Sequence, residues 1–114
     1  MAHKETFFKE GCYIQEWYNS PADEDCSVAR VRVEPHTQTR LHALTGITER
    51  YVILQGSGLA HVSGVEHRLD QGDVLTIAAD EPQQIHNDGD DQLIFLAICT
   101  PRFQESLYTD LEDE

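Results

Sequence analysis

Two side chains, His42 and Glu49, belong to the types that bind metal ions and move protons. An imidazole nitrogen and a carboxylate oxygen are ligands for divalent transition metals, and both groups act as general acids or bases. Tyr51 follows Glu49 by two residues, so on a β-strand it would share the face of Glu49 and could serve as a general acid. Each residue also has a plainer interpretation: a core histidine, a carboxylate that hydrogen-bonds Arg40 or Arg50, and an aromatic core residue.

The sequence predicts an all-β protein that would place these residues on strands. The segment 27–33 alternates apolar residues with two arginines, which is the period-two pattern of a half-buried strand. The run 93–99 is apolar on both faces, so we expect it in the middle of a sheet, and Ser63-Gly64 indicates a hairpin. Further strands are expected at 12–18, 50–55, 59–62, 65–69, 74–79 and 83–86.

Helical spacing is found in the C-terminal tail. Phe103, Leu107 and Leu111 recur at i, i+4 and i+8, which predicts a short helical tail that lies across the domain. Many short strands with one such tail are typical of a β-sandwich or β-barrel.

Two segments of this predicted barrel resemble the paired signature motifs of the cupin superfamily, which are small jelly-roll β-barrels. The first motif reads glycine, five residues, His-x-His, three or four residues, glutamate, six residues, glycine. The spacing is kept in this chain, where the five positions are occupied by His36, His42, Leu44, Glu49 and Gly56. The second motif reads glycine, five residues, Pro-x-Gly, two residues, histidine, three residues, asparagine. It runs here from Gly72 to Asn87, with the intermediate positions taken by Ala78, Asp80 and Gln83.

The resemblance implies a single cupin domain over residues 1–114, with the barrel core at about 11–101. It also implies a homodimer and a divalent metal ion, which could be iron, manganese, nickel or zinc. Of the four family ligand positions, His42 and Glu49 are kept, Leu44 has no donor atom, and Gln83 offers a neutral amide oxygen. We therefore expect weak metal binding by His42, Glu49 and Gln83, with water in the open positions.

His86 and His36 are further candidate ligands. Together with His42 and Glu49, His86 would complete a triad of the non-haem iron type. Strand alternation opposes this, because His86 should point away from the face of Gln83 unless a bulge intervenes. His36 stands where the family has a turn glycine, at the barrel rim. A small ligand in the lumen is expected to meet Arg40, Tyr51 and His86.

Composition restricts the classes of partner. The chain has 114 residues with 21 acidic and 8 basic side chains, a net charge of −13, which argues against nucleic acid or anionic membrane as a partner. The sequence has no long apolar run and no signal-peptide pattern, so a cytoplasmic location is expected. The cysteines Cys12, Cys26 and Cys99 are expected to be reduced thiols, with Cys99 in the core.

The sequence is compatible with three functions. The protein could be a metal-dependent isomerase, lyase or oxygenase that acts on a small metabolite, with the ion polarising a substrate oxygen or activating water. It could instead bind a small ligand, such as a sugar or an organic acid, without catalysis. It could also be a structural barrel in which Leu44 marks a degenerate metal site.

Overall fold

In the computed structural model, residues 3–112 are described, and they form twelve β-strands and one 3-10 turn in two antiparallel sheets. The first sheet consists, in spatial order, of β1 (Glu5–Phe8), β2 (Cys12–Tyr18), β3 (Ser27–Val33), β11 (Leu93–Thr100), β6 (Thr48–Gln55) and β9 (Val74–Ile77). The second consists of β12 (Tyr108–Asp110), β5 (His42–Leu44), β10 (Gln83–Asn87), β7 (Gly58–Val62) and β8 (Val65–Leu69), with β4 (Thr37–Gln38) also paired to β10. This is the all-β jelly roll that the motifs predict.

The two sheets face each other and bury the apolar side of each strand. β3 shows the principle: Val31 and Val33 are buried between the sheets, whereas Arg32 points outward and donates to Glu5 of β1. β11 lies between β3 and β6, as its apolar character on both faces predicts. The largest fully buried apolar side chains are Phe95, Ile47, Ile53, Ile77, Ile85 and Leu93.

Four short strands were not predicted from the sequence: β1, β4, β5 and β12. They contain two to four residues each, which is too few for an alternating pattern to be recognised, and β4, β5 and β12 pair with strands that are distant in sequence. The predicted helical tail is reduced to a 3-10 turn at Glu105–Leu107, after which the chain continues as β12. Among residues 3–112, no helix is long and apolar enough to cross a membrane.

Residues with positive φ values lie in two turns. The hairpin between β7 and β8 is confirmed, since Ser63 and Gly64 both have positive φ values of 49° and 82° and connect the paired residues Val62 and Val65. His36 has φ 55°, the conformation for which the family uses glycine at this position.

The three cysteines are free thiols, and Cys99 is buried in the core as expected.

Candidate functional site

The inner faces of the two sheets enclose a cavity of about 390 Å³. This volume lies near the lower end of the range of roughly 300–1,000 Å³ that is typical of small-molecule pockets. Much of the wall is apolar, and its hydrocarbon side chains include Ile14, Val31, Phe95 and Ala97. The buried carboxyl and imidazole side chains of the lining therefore stand out, and they come from β5, β6 and the turn before β2.

His42 is buried and is held in one tautomer by its neighbours. Its Nδ1 lies 2.7 Å from the carbonyl oxygen of Arg40, which can only accept, so Nδ1 carries the proton and Nε2 keeps a free lone pair. That Nε2 lies 3.4 Å from Oε1 of Glu10. The ring of Tyr108 stacks on the imidazole, with centroids 5.0 Å apart and planes inclined by 16°. Burial lowers the pKa of His42, so the uncharged ring is favoured near neutral pH.

Glu10 is a site residue that sequence reasoning missed. It lies in the turn between β1 and β2, immediately before Gly11, which has φ 102°, and its side chain lines the cavity. Burial raises the pKa of Glu10 to about 8, although the thiol of Cys12 opposes this shift. A glutamate before a turn glycine gives no sequence signal of burial, and Glu10 lies outside both motifs. Only the fold reveals it.

Glu49 faces the same cavity from β6. Burial and then the nearby Glu10 raise the pKa of Glu49 to about 7, while His42 and a hydrogen bond from Gln83 oppose the shift. Within the described part of the chain, Oε1 of Glu49 has no hydrogen-bond partner. The neighbouring Arg50 points to the opposite face of the strand, where it donates to a threonine hydroxyl. Oε1 of Glu49 is therefore a buried acceptor whose partner the described residues do not supply.

Tyr51 and Gln83 form a buried polar pair beside Glu49. The hydroxyl of Tyr51 donates to Oε1 of Gln83 over 2.5 Å. Burial raises the pKa of Tyr51 well above its ordinary value, so the hydroxyl remains protonated and acts as a donor. The amide oxygen of Gln83 is thus already occupied by one hydrogen bond.

The group formed by Glu10, His42 and Glu49 can hold and exchange protons near neutral pH. Two buried carboxyl groups have pKa values of about 8 and about 7, and a neutral imidazole nitrogen lies next to one of them. Groups whose pKa values lie close to the working pH are suited to general acid–base chemistry. We refer to these three residues as the carboxyl–imidazole cluster.

The fit of the site to a metal ion is partial. His42 presents Nε2 while Nδ1 donates to a backbone carbonyl, which is the usual arrangement of a histidine ligand, and Oε1 of Glu49 is unpartnered. Leu44 is a buried hydrocarbon at the second histidine position, 3% exposed, and Gln83 is engaged by Tyr51. Within residues 3–112, no group of three or more His, Cys, Asp or Glu side chains is arranged to hold a metal ion. Coordination by His42, Glu49 and Gln83 stays a prediction.

Three other candidate residues do not reach the cavity. His86 is on the outer face of its sheet, because its neighbours Ile85 and Asn87 are buried on the inner face and β10 alternates without a bulge there. Arg40 donates to Asp110 over 2.7 Å at the surface, so it does not line the lumen. The exposed ring of His36 lies 2.7 Å from an aspartate at the barrel rim, as its place in a turn suggested.

The chain belongs to the cupin family, because the profile of the family described as "Cupin domain" matches residues 29–99, more than half of its length. The matched region contains His42, Glu49 and Gln83, whereas Glu10 and Tyr108 lie on either side of it.

Three cupins resemble this chain in sequence or in structure. An oxalate-binding protein from Thermotoga maritima is 36% identical over 70 residues, a match that covers 61% of this chain and only 58% of that relative. A Streptomyces nucleoside dehydratase superposes with a TM-score of 0.81 at 15% identity, over 96% of this chain and 85% of that chain. The oxalate decarboxylase of Lactobacillus farciminis, in a formate complex, gives a TM-score of 0.81 at 24% identity, over 96% of this chain and 33% of that chain. These structural similarities support the jelly-roll fold.

Proposed function

We propose that the protein binds a small oxygen-bearing metabolite in its cavity and that the carboxyl–imidazole cluster contacts the polar atoms of this ligand. The observation that carries the proposal is the concentration of three proton-exchanging side chains, Glu10, His42 and Glu49, in one largely apolar cavity. Its relatives add support, since one is named for binding oxalate and another was solved with formate.

Catalysis by this cluster would consist of proton transfer. The carboxyl group of Glu10 holds a proton near neutral pH, and Nε2 of His42 can accept one 3.4 Å away. Since 3.4 Å leaves no room for an atom between these two groups, the ligand would lie beside the pair. One ligand oxygen could take the proton of Glu10 while an adjacent hydroxyl or acidic C–H group gives its proton to Nε2 of His42. This chemistry suits an isomerase or a lyase.

A ligand screen tests the binding proposal. Chelator-treated protein is titrated with sugars, nucleosides and organic acids, and binding is followed by ligand-observed NMR and thermal shift. We expect at least one class to bind, and we expect Glu10→Gln and His42→Gln to weaken it by at least about tenfold, the loss of one good polar contact. The matched control is His61→Gln on the outer face of β7, which should leave the affinity unchanged. Binding that is equally strong in all three variants, or absent throughout the screen, contradicts the proposal.

Weak metal binding is a second candidate function, favoured by the unpartnered Oε1 of Glu49 and the oriented imidazole of His42. These two residues would hold the ion with water, and the ion would act as a Lewis acid toward a ligand oxygen. Untagged protein is loaded with iron, manganese, nickel or zinc and analysed by elemental analysis. We expect a bound ion that is lost in His42→Ala and Glu49→Ala and kept in His36→Ala. No uptake of any of the four metals contradicts this candidate.

Single-domain organisation, a homodimer and a cytoplasmic location also stay predictions. A dimer is favoured by apolar side chains on the outer face of the first sheet, where Leu54 of β6 and Val74 of β9 are 39% and 60% exposed. Light scattering after size-exclusion chromatography measures the mass directly, and Leu54→Lys should shift a dimer to the monomer.

A further inference from the structure

The charged side chains that line the cavity are mostly acidic. Glu10 and Glu49 are buried within it, and Glu16 and Glu105 line it at exposed positions. Among the lining residues, all of which belong to the described part of the chain, Lys4 is the one lysine or arginine, and it is exposed. The buried part of the cavity therefore has carboxyl groups but no permanent cation.

Five of the six arginines contact carboxylates outside the cavity, and the sixth, Arg50, donates to a threonine hydroxyl. Lys9 contacts the exposed carboxylate of Glu105 at the edge of the cavity. Alternation along β3 directs Arg30 and Arg32 outward, where both meet Glu5. Lys9 lies 3.2 Å from Glu105. Arg32 also pairs with Glu34, and other arginine ion pairs are Arg40 with Asp110 and Glu112, Arg68 with Asp88, and Arg102 with Glu24.

His42 does not supply the missing positive charge. Its Nδ1 proton is directed at the carbonyl oxygen of Arg40, and Nε2 faces a carboxyl group that can donate to it. The ring stacks on Tyr108, and its two nitrogens already face one acceptor and one carboxyl group, so the uncharged imidazole is matched without a second proton.

From this distribution of charge we infer that the metal-free cavity selects an uncharged hydroxyl- or carbonyl-bearing compound over an anion. This inference rests on the proposed binding function and specifies its ligand class. An ionised Glu10 or Glu49 would repel a ligand carboxylate, and a protonated one would bring no charge to offset its desolvation. An uncharged ligand oxygen can accept from a protonated carboxyl group, and a ligand hydroxyl can donate to Nε2 of His42 or to Oε1 of Glu49.

The test compares ligands of one shape and different charge. The full chain, treated with chelator, is titrated near neutral pH with glucose, glucuronate and glucosamine, with uridine and uridine monophosphate, and with oxamide and oxalate. Calorimetry or ligand-observed NMR gives each dissociation constant. In the series that binds, we expect the uncharged member to bind at least about tenfold more tightly than its anionic counterpart, because one uncompensated charge costs at least that factor. The cation glucosamine should not meet this repulsion.

The outcomes separate the inference from the proposed function. An anion that binds as tightly as its neutral counterpart overturns the inference and leaves the binding function intact. Absence of binding by every compound overturns both.

A charge variant at the rim provides a second measurement. Thr6 of β1 is exposed and lines the cavity, and Lys4 lies two residues before it, so Thr6→Lys adds a cation without disturbing the core. We expect Thr6→Lys to strengthen anion binding at least about threefold and to leave the neutral ligand unchanged, whereas Thr6→Gln should change neither. If Thr6→Lys leaves the affinity for the anion unchanged, the charge of the cavity is not what disfavours anionic ligands.

Discussion

At the scale of single residues, Glu10 links stability to pH. Its pKa is about 8 in the folded chain, above the ordinary value of 4.5. Between these two values the folded chain keeps the proton that the unfolded chain has lost, so this group makes stability fall as pH rises. Replacing Glu10 by Gln removes the titration. The stability of the variant relative to wild type should therefore increase from about pH 4.5 to about pH 8, by up to about 1.4 kcal/mol per pH unit.

Denaturant unfolding of chelator-treated protein at several pH values measures this difference. Glu66→Gln is the matched control, because Glu66 is exposed on β8 and the substitution removes the same charge. Its stability curve should run parallel to that of wild type. A parallel curve for Glu10→Gln would mean that Glu10 is ionised in the folded chain.

The spacing of the motifs was sufficient to predict that His42, Glu49 and Gln83 lie together. Strand alternation also predicted that His86 faces outward, and the structure agrees. The expectation that His86 contacts a ligand in the lumen did not take this alternation into account. Arg40 was misplaced because its partner, Asp110, lies on a strand too short to be recognised in the sequence. Glu10 was missed for a physical reason: its burial depends on how the β1–β2 turn folds over the lumen.

At the scale of elements, β5 is a strand of three residues that depends on β12. On one side β5 meets β10 only through His42 and Gln83, and on the other it pairs along its full length with β12. The C-terminal strand therefore fixes the edge of the sheet that carries His42. Its first residue, Tyr108, also stacks on the imidazole and packs against Phe8.

Substitutions of Tyr108 test this dependence. The hydroxyl of Tyr108 is buried without a hydrogen-bond partner in the described part of the chain, so Tyr108→Phe should keep the stability within about 1 kcal/mol. Tyr108→Leu loses both ring contacts and should cost about 1–3 kcal/mol. The ¹⁵N spectrum of the His42 ring gives an independent measurement: the protonated Nδ1 should persist in the phenylalanine variant and give way to a tautomer mixture in the leucine variant. An unchanged ring spectrum in Tyr108→Leu contradicts the role of the stack.

Two glycines distinguish backbone strain from steric conflict: Gly56 connects β6 to β7, and Gly64 lies in the hairpin between β7 and β8. Gly56 and Gly64 have nearly equal φ values, 81° and 82°. A Cβ atom at Gly56 would lie 2.6 Å from the carbonyl oxygen of Gln92, whereas at Gly64 nothing lies within 4 Å. Gly64→Ala should cost about 1–2 kcal/mol from strain alone, and Gly56→Ala about 1–3 kcal/mol more because the backbone of residue 92 must move. Chemical denaturation measures both, and equal losses would show that the turn relaxes freely.

Long strands could be predicted from alternation or apolar runs, and their bounds agree with the structure to within two residues. The C-terminal segment could not, because the i, i+4, i+8 spacing of Phe103, Leu107 and Leu111 is also satisfied by a chain that turns once and then extends. Pairing with β5, a contact between distant parts of the sequence, decides in favour of a strand.

At the scale of the whole molecule, the net charge of −13 opposes the compact state through self-repulsion. Raising the salt concentration from about 20 mM to about 0.5 M shortens the Debye length from roughly 20 Å to a few ångströms and should raise Tm by several degrees. Thermal unfolding in NaCl and KCl measures the effect. Equal increases in both salts indicate screening, whereas an increase in only one would indicate binding of a specific ion.

The position of Glu10 and Tyr108 outside the family region 29–99 has a consequence for engineering. The strands of the family region and two of the residues at the cavity site belong to different segments of the chain. Exchanging residues 5–18 and 103–112 between cupins could therefore change ligand preference. A fragment trimmed to the family region would keep His42 and Glu49 but lose the carboxyl group that faces the imidazole and the ring that covers it. Activity assays on such a fragment would then describe a different site.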